Sequence, residues 1–224
     1  MSDEIMGRLK IFVFVLVMAA VSDPAWSPQA NGASNNNQGT NISPGVYTQD
    51  RYTMQLVAGA LFATDLIYST PTFNYAQTSL RLGWMVNSPP PSPSFFRGNF
   101  ELLAELSYAT VFNGFGNYLM GGGGLLRYNF LQPDARLIPY LQFGAGFVYT
   151  DAHEDKTQDA IGQAIEFTLQ GSFGARYLIK KNWSIDAEAT YHHISNAGIA
   201  DRNRGINAFG AFFGVTYFTN WFWK

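Results

Sequence analysis

The sequence predicts an eight-stranded antiparallel transmembrane β-barrel, and three observations lead to that fold class. Charged residues make up only 13% of the 224 residues, well below the share in a typical soluble domain, whereas aromatic residues reach 16%. After the N-terminus, no stretch approaches the roughly 20 consecutive apolar residues that a spanning helix needs. From about residue 51 onward, apolar and polar residues alternate with a period of two, which is typical of strands that face lipid on one side.

The N-terminal residues 1–22 have the pattern of a signal peptide. Two basic residues precede the apolar run IFVFVLVMAA, and small residues suited to cleavage follow it. The apolar run is too short to span a membrane, so we prefer secretion to a retained anchor. Residues 23–50 are rich in Asn, Ser, Gly and Pro and show no period, which predicts a flexible leader. The barrel is therefore assigned to residues 51–224.

Eight segments carry the period-two pattern, and turn-rich stretches separate them. In the sixth, IEFTLQGSFGARYLI, Phe167 and Leu169 lie on one face, whereas Thr168 and Gln170 lie on the other. One face of each strand is thus apolar and the other polar. The predicted strands are 51–63, 73–86, 99–113, 117–130, 136–150, 164–179, 183–195 and 207–221.

Mid-strand charges indicate which face points inward. A soluble sandwich would bury its apolar faces, but here the polar faces carry charges of both signs along the middle of the strands. A membrane barrel turns its apolar faces to lipid and can pair such charges inside. An eight-stranded barrel has an interior just wide enough for side chains to fill. The charges predicted to lie inside are Arg81, Glu101, Glu105, Arg127, Glu166, Arg176, Asp186 and Glu188.

The connections between strands predict the orientation in the membrane. With both chain ends in the periplasm, the even-to-odd connections 87–98, 131–135 and 180–182 are periplasmic, and the acidic loop 151–163 is extracellular. The first of these, NSPPPSPSFFRG, is unusually long for a periplasmic turn. His153 stands among acidic residues in the extracellular loop, a pattern that is common in solvated loops, so no metal ligand is assigned.

The seventh segment, WSIDAEATYHHIS, contains the first candidate catalytic residues. Because successive side chains point to opposite faces, His192 joins the polar interior, whereas His193 and Ser195 point to lipid at the extracellular end. Two interpretations of the outward pair remain open. Water and headgroups at the interface solvate polar groups, which accounts for the pair without any function. Alternatively, the imidazole accepts the serine proton while the hydroxyl attacks an acyl carbonyl.

A hairpin from residue 195 to residue 207 brings a third polar group to the same place. Asn207 lies on the apolar, lipid-facing side of the eighth segment. In catalytic triads an orienting residue binds the ring nitrogen that faces away from the nucleophile, and asparagine fills this position in Cys-His-Asn proteases. Under the catalytic interpretation, the candidate residues are therefore His193, Ser195 and Asn207.

Two short motifs in this region, HISNAG at 193–198 and NRGIN at 203–207, resemble the lipid A 3-O-deacylase (PagL-type) family of Gram-negative outer membranes. The signal peptide and the eight-strand pattern are similar as well, so the resemblance extends over the mature barrel. It implies a barrel with a His-Ser-Glu triad on its lipid-facing surface. Such a protein hydrolyses the ester-linked acyl chain at the 3 position of lipid A and requires no metal.

The resemblance also implies roles for individual residues. The family's histidine and serine correspond to His193 and Ser195, and Asn196 with the following amides of Ala197 and Gly198 corresponds to the oxyanion site. The chain departs from the family pattern at Asn207, where the pattern has glutamate. The resemblance further implies a location in the bacterial outer membrane, lipopolysaccharide of the outer leaflet as substrate, and no cofactor.

The sequence leaves other functions open. One is a non-enzymatic barrel that binds surface ligands or supports the envelope, and another is an acyltransferase on the same scaffold. Whether the barrel forms a homodimer is also open. The net charge of -2 gives no reason to expect nucleic acid as a partner, and the absence of cysteine excludes disulfides and thiol chemistry.

Overall fold

The computed structural model describes residues 44–65, 70–92 and 94–220. The predicted signal peptide and the predicted leader up to residue 43 lie outside the described residues. Eight long strands account for most of the rest. They are β1 (Tyr52–Ala63), β2 (Asn74–Met85), β3 (Gly98–Asn113), β4 (Tyr118–Phe130), β5 (Leu137–Thr150), β6 (Ile165–Lys180), β7 (Trp183–Ser195) and β8 (Ile206–Thr219).

The strands form one closed antiparallel barrel. Each strand pairs with its neighbours in sequence, and β1 pairs with β8 to complete the ring. The predicted fold class is therefore confirmed, and the predicted strand bounds agree with the observed ones to within two residues. Closure leaves no open strand edge, as lipid requires. Within the described ranges, no helix has the length and apolar character needed to cross a membrane.

Side chains alternate between the barrel wall and the interior as predicted. In β3, Leu102 and Leu106 are exposed on the outside, whereas Glu101 and Glu105 between them are buried. All eight mid-strand charges that the sequence assigns to the interior are buried. The outside of the barrel is instead lined with large apolar side chains, which suits contact with lipid rather than water.

Ion pairs fill the interior of the barrel. Arg81 binds Glu105 at 2.6 Å and both oxygens of Glu188 at 2.9 Å. Glu101 lies between two further arginines, at 3.3 Å from Arg127 and 2.9 Å from Arg176. A buried charge is tolerated when it is paired and hydrogen-bonded, so this network lets the strands carry charge through the middle of the barrel.

Apolar side chains close the barrel at both ends. At the periplasmic end, a 3-10 turn at Pro44–Tyr47 buries Val46 and Tyr47, and the Tyr47 ring packs on Phe218 at 5.2 Å between centroids. Residues 44–47 lie in the segment predicted as a flexible leader, but they form a turn with buried side chains, which the sequence did not indicate because a single turn is too short to show a period. At the other end, the longer loops cover a second apolar cluster, which includes Phe73, Ile161, Ile194 and Phe212. Longer loops mark the extracellular side.

Candidate active site

Strand parity separates the two adjacent histidines of β7. His192 points into the barrel, is 6% exposed, and its Nδ1 lies 2.6 Å from the hydroxyl of Tyr75. His193 and Ser195 point outward and are partly exposed at the extracellular end of the strand. The two imidazoles therefore lie on opposite sides of the barrel wall, and only that of His193 faces the lipid side.

His193 and Ser195 are in hydrogen-bonding contact. The Nε2 atom of His193 lies 3.0 Å from the Oγ atom of Ser195. Residues i and i+2 of a strand share a face, and the direction of the imidazole brings Nε2 rather than Nδ1 to the hydroxyl. The spacing lies within the 2.6–3.2 Å range that proton transfer between a base and a nucleophile requires.

The register of β7 and β8 places Asn207 beside His193 and Ser195. It lies directly opposite His193 in the β7–β8 ladder, and its Oδ1 atom lies 2.9 Å from His193 Nδ1. The structure thus brings the three residues predicted as catalytic into one chain of hydrogen bonds. Asn207 is fully buried even though it lies on the outer side of the wall, because neighbouring side chains cover it.

Two further residues fix Asn207, and neither of them was predicted from the sequence. The Tyr191 hydroxyl donates to Asn207 Oδ1 at 2.5 Å, and Asn207 Nδ2 donates to Thr70 Oγ1 at 3.1 Å. Tyr191 could have been found, because it shares the outward face of β7 with His193. Thr70 lies in the β1–β2 connection, where no period or register gives its position.

Asn196, predicted at the oxyanion site, is buried and holds the β7–β8 hairpin together. Its N–H donates to Asn203 Oδ1 at 2.8 Å, and its Nδ2 donates to the carbonyl of Arg202 at 2.9 Å. Its Oδ1 accepts the N–H of Gly198 at 3.0 Å. The side chain of Asn196 and the N–H of Gly198 are thus engaged within the hairpin.

Ala197 is placed differently from its two neighbours. It is exposed, and it adopts a positive φ of 56°, followed by 82° at Gly198. This pair of left-handed residues turns the chain sharply just after Ser195 and Asn196. Within the described part of the chain, the N–H of Ala197 makes no hydrogen bond, so of the three predicted oxyanion residues it is the one with an available donor.

The extracellular loop between β5 and β6 is attached to the same hairpin. Arg202 donates to the backbone carbonyls of His153 at 2.7 Å, Asp155 at 2.7 Å and Gln158 at 3.1 Å. His153 is itself bound through Nδ1 to the carbonyl of Thr150 at 2.9 Å. The described residues contain no group of three or more side chains that could hold a metal ion.

A second contact fixes the start of this loop. Asp151 accepts the backbone and side-chain N–H groups of Asn117 at 2.8 and 2.7 Å, and the N–H of Tyr118 at 3.2 Å. Partial burial raises the pKa of Asp151, but these hydrogen bonds outweigh it, so the pKa lies below its ordinary value. The loop is therefore fastened both to the neighbouring β3–β4 turn and to the hairpin that follows Ser195.

The arrangement around His193 is suited to general-base catalysis. When Nδ1–H donates to Asn207 Oδ1, the lone pair of Nε2 faces the Ser195 hydroxyl, which is the tautomer a base needs. Asparagine orients the ring but carries no charge to stabilise an imidazolium. The site opens on the outer wall of the barrel, so a lipid carbonyl can approach from the side.

The closed barrel, its apolar outer wall and this outward-facing site define an integral barrel of the bacterial outer membrane. The chain belongs to the lipid A 3-O-deacylase (PagL) family, whose model matches residues 78–216. That match covers more than half of the chain and includes His193, Ser195 and Asn207. Membership supports a hydrolase of the lipid A deacylase kind.

Solved structures give the same fold. The outer membrane enzyme PagL shares 20% identity and a TM-score of 0.50, over 71% of this chain and 97% of that one. Neisserial surface protein A shares 12% identity and a TM-score of 0.52, over 75% of this chain and 97% of that one. No curated protein sequence matches the chain significantly. At these identities, the similarity to solved structures extends to the fold alone.

Proposed function

We propose that the protein is an outer-membrane esterase that removes the ester-linked acyl chain at the 3 position of lipid A, with Ser195 as nucleophile and His193 as base. The observation that supports this most strongly is the contact between His193 Nε2 and Ser195 Oγ on the lipid-facing wall. A water-soluble substrate would not need a site on this surface. Family membership points to the same reaction.

In the proposed reaction, Ser195 Oγ attacks the ester carbonyl while its proton passes to His193 Nε2. The tetrahedral intermediate collapses when the bond to the sugar oxygen breaks, and that oxygen takes the proton from His193. A water molecule, deprotonated by His193, then releases the fatty acid and restores the Ser195 hydroxyl. Asn207 keeps the ring oriented through Nδ1 in every step.

The oxyanion of the intermediate needs hydrogen-bond donors close to Ser195. We assign this role to the N–H of Ala197, because the backbone N–H groups of Asn196 and Gly198 and the side-chain amide of Asn196 are engaged within the hairpin. Asn196 then contributes by holding the turn that presents this donor. The site lies at the extracellular end of β7, so lipopolysaccharide of the outer leaflet is the substrate within reach.

Mass spectrometry of lipid A from cells that express the protein tests the proposal. We expect loss of the acyl chain at the 3 position with the wild type, and no loss with Ser195→Ala. Thr110→Ala is the matched control and should retain activity, because it removes an exposed hydroxyl at the extracellular end of a different strand, β3. Unchanged lipid A with folded wild type would favour a non-enzymatic barrel, and a gained acyl chain would indicate an acyltransferase.

A further inference from the structure

The β2–β3 connection, residues 86–97, carries two exposed phenylalanines far from the proposed active site. Phe95 is 50% and Phe96 is 69% exposed, and the two rings pack edge to face with centroids 5.0 Å apart. The other connections at the periplasmic end, 131–136 and 181–182, are shorter. Exposing two phenyl rings to water is unfavourable, so the question is what covers these rings in the membrane-bound protein.

Side chains of the neighbouring barrel wall and turn hold the loop backbone in place. Tyr128, which points outward from β4, donates its hydroxyl to the carbonyl of Phe96 at 2.6 Å. Gln132 Nε2 donates to the carbonyls of Ser94 at 3.0 Å and Phe95 at 3.2 Å. A loop held by these contacts presents its two rings in a fixed position.

The two rings continue the aromatic belt of the barrel wall. Tyr128 packs edge to face on Phe100 at 4.8 Å and on Phe130 at 5.1 Å, between ring centroids. Aromatic side chains concentrate where a membrane protein crosses the membrane–water interface. Around the same end, further aromatic residues point outward from the other strands: Tyr52, Trp84, Tyr177, Trp183 and Tyr217.

We propose that Phe95 and Phe96 insert into the periplasmic leaflet of the outer membrane and that phospholipid is their partner. Continuity with the lipid-facing belt supports this occupant over a periplasmic protein, because the hydrogen bond from Tyr128 holds the loop against the wall that lipid covers. The loop thereby anchors the β3–β4 side of the barrel at the interface. This inference does not depend on the esterase reaction.

Single-cysteine labelling tests the insertion, because the chain has no native cysteine to interfere. The full barrel is folded into phospholipid vesicles with an environment-sensitive fluorophore on Phe96→Cys, and separately on Phe95→Cys. Ser92→Cys, an exposed position in the same loop, is the matched control. We expect blue-shifted emission and quenching by brominated phospholipid at positions 95 and 96, whereas the label at position 92 is quenched by aqueous iodide.

Equal quenching by iodide at all three positions, with no quenching by brominated lipid, would overturn the proposal and leave the rings free for a protein partner. A difference in gel mobility between heated and unheated samples of each labelled protein checks that the barrel is folded. Having two independent positions in the pair guards against a local disturbance by either substitution.

Discussion

The Nδ1 atom of His193 lies 2.9 Å from the Oδ1 atom of Asn207, so a neutral amide occupies the place where the sequence resemblance to the family implies a carboxylate. Register explains the contact, because the two residues face each other in the β7–β8 ladder. An amide fixes the direction and tautomer of the ring, whereas a carboxylate also stabilises the positive charge that develops on it. A substitution at position 207 should therefore change the strength of His193 as the proposed base.

Replacing Asn207 with aspartate should raise the rate of deacylation. The side chains have the same shape, and the new carboxylate would stabilise the imidazolium of His193. We expect kcat to increase about tenfold or more, a fraction of the effect seen when the acid of a serine protease triad is neutralised. Release of fatty acid from lipid A in vesicles measures the rate. An unchanged kcat with correctly folded protein would mean that Asn207 does not act on the histidine.

Tyr191→Phe removes the hydroxyl that donates to Asn207 Oδ1 and keeps the ring. A hydrogen bond of this kind is worth about 0.5–1.5 kcal/mol, so we expect kcat to fall by up to about tenfold and KM to stay the same. Tyr177→Phe, at the other end of the outer wall, is the control. Equal kcat for both variants would show that the Tyr191 hydroxyl does not position the amide.

The two histidines of β7 should respond in opposite ways to substitution. His193→Gln is expected to abolish deacylation while the barrel remains as stable as the wild type. His192→Gln should retain deacylation but lose about 1 kcal/mol of unfolding free energy, because it disturbs the buried contact with Tyr75. Activity assays and urea unfolding in vesicles measure both quantities. If the folded His192 variant lost activity while the His193 variant kept it, the assignment of His193 as the base would be contradicted.

Arg81→Met should destabilise the barrel strongly. It leaves Glu105 and Glu188 buried without their shared partner, and breaking a buried pair in this way costs about 3–5 kcal/mol. Arg204→Met provides the contrast, because its pair with Asp159 at 3.3 Å is exposed and is worth at most about 1 kcal/mol. Urea unfolding of both variants gives the comparison, and similar losses would rule out a special role for the interior network.

The hydrogen bonds through which Asp151 holds the extracellular loop should weaken at acidic pH. The pKa of this carboxyl in the folded protein lies below its unfolded value of about 3.9. The carboxylate therefore stabilises the fold above pH 3.9, and this contribution is lost as the pH falls through the folded pKa. The protection of the Asn117 and Tyr118 N–H groups against hydrogen exchange, relative to intrinsic exchange, should therefore fall as the pH drops below about 3.9. In Asp151→Asn, this protection should stay constant over the same pH range.

Much of the fold and part of the candidate site could be predicted from the sequence because strands have a period of two. That period placed His192 inside and His193 with Ser195 outside, and it placed the charges of Arg81 and Glu188 in the interior. Thr70 could not be predicted, because it approaches Asn207 from a connection that has no repeating geometry.

The sequence by itself determined the barrel, its lipid-facing side and the strand that carries the serine and histidine, because these follow from local alternation along one strand. Only the tertiary structure decided how Asn207 is held between Tyr191 and Thr70, and that Asn196 points into the hairpin rather than toward Ser195. These details depend on contacts between segments that are distant in sequence and on rotamers chosen by packing. A periodic pattern along one strand contains neither.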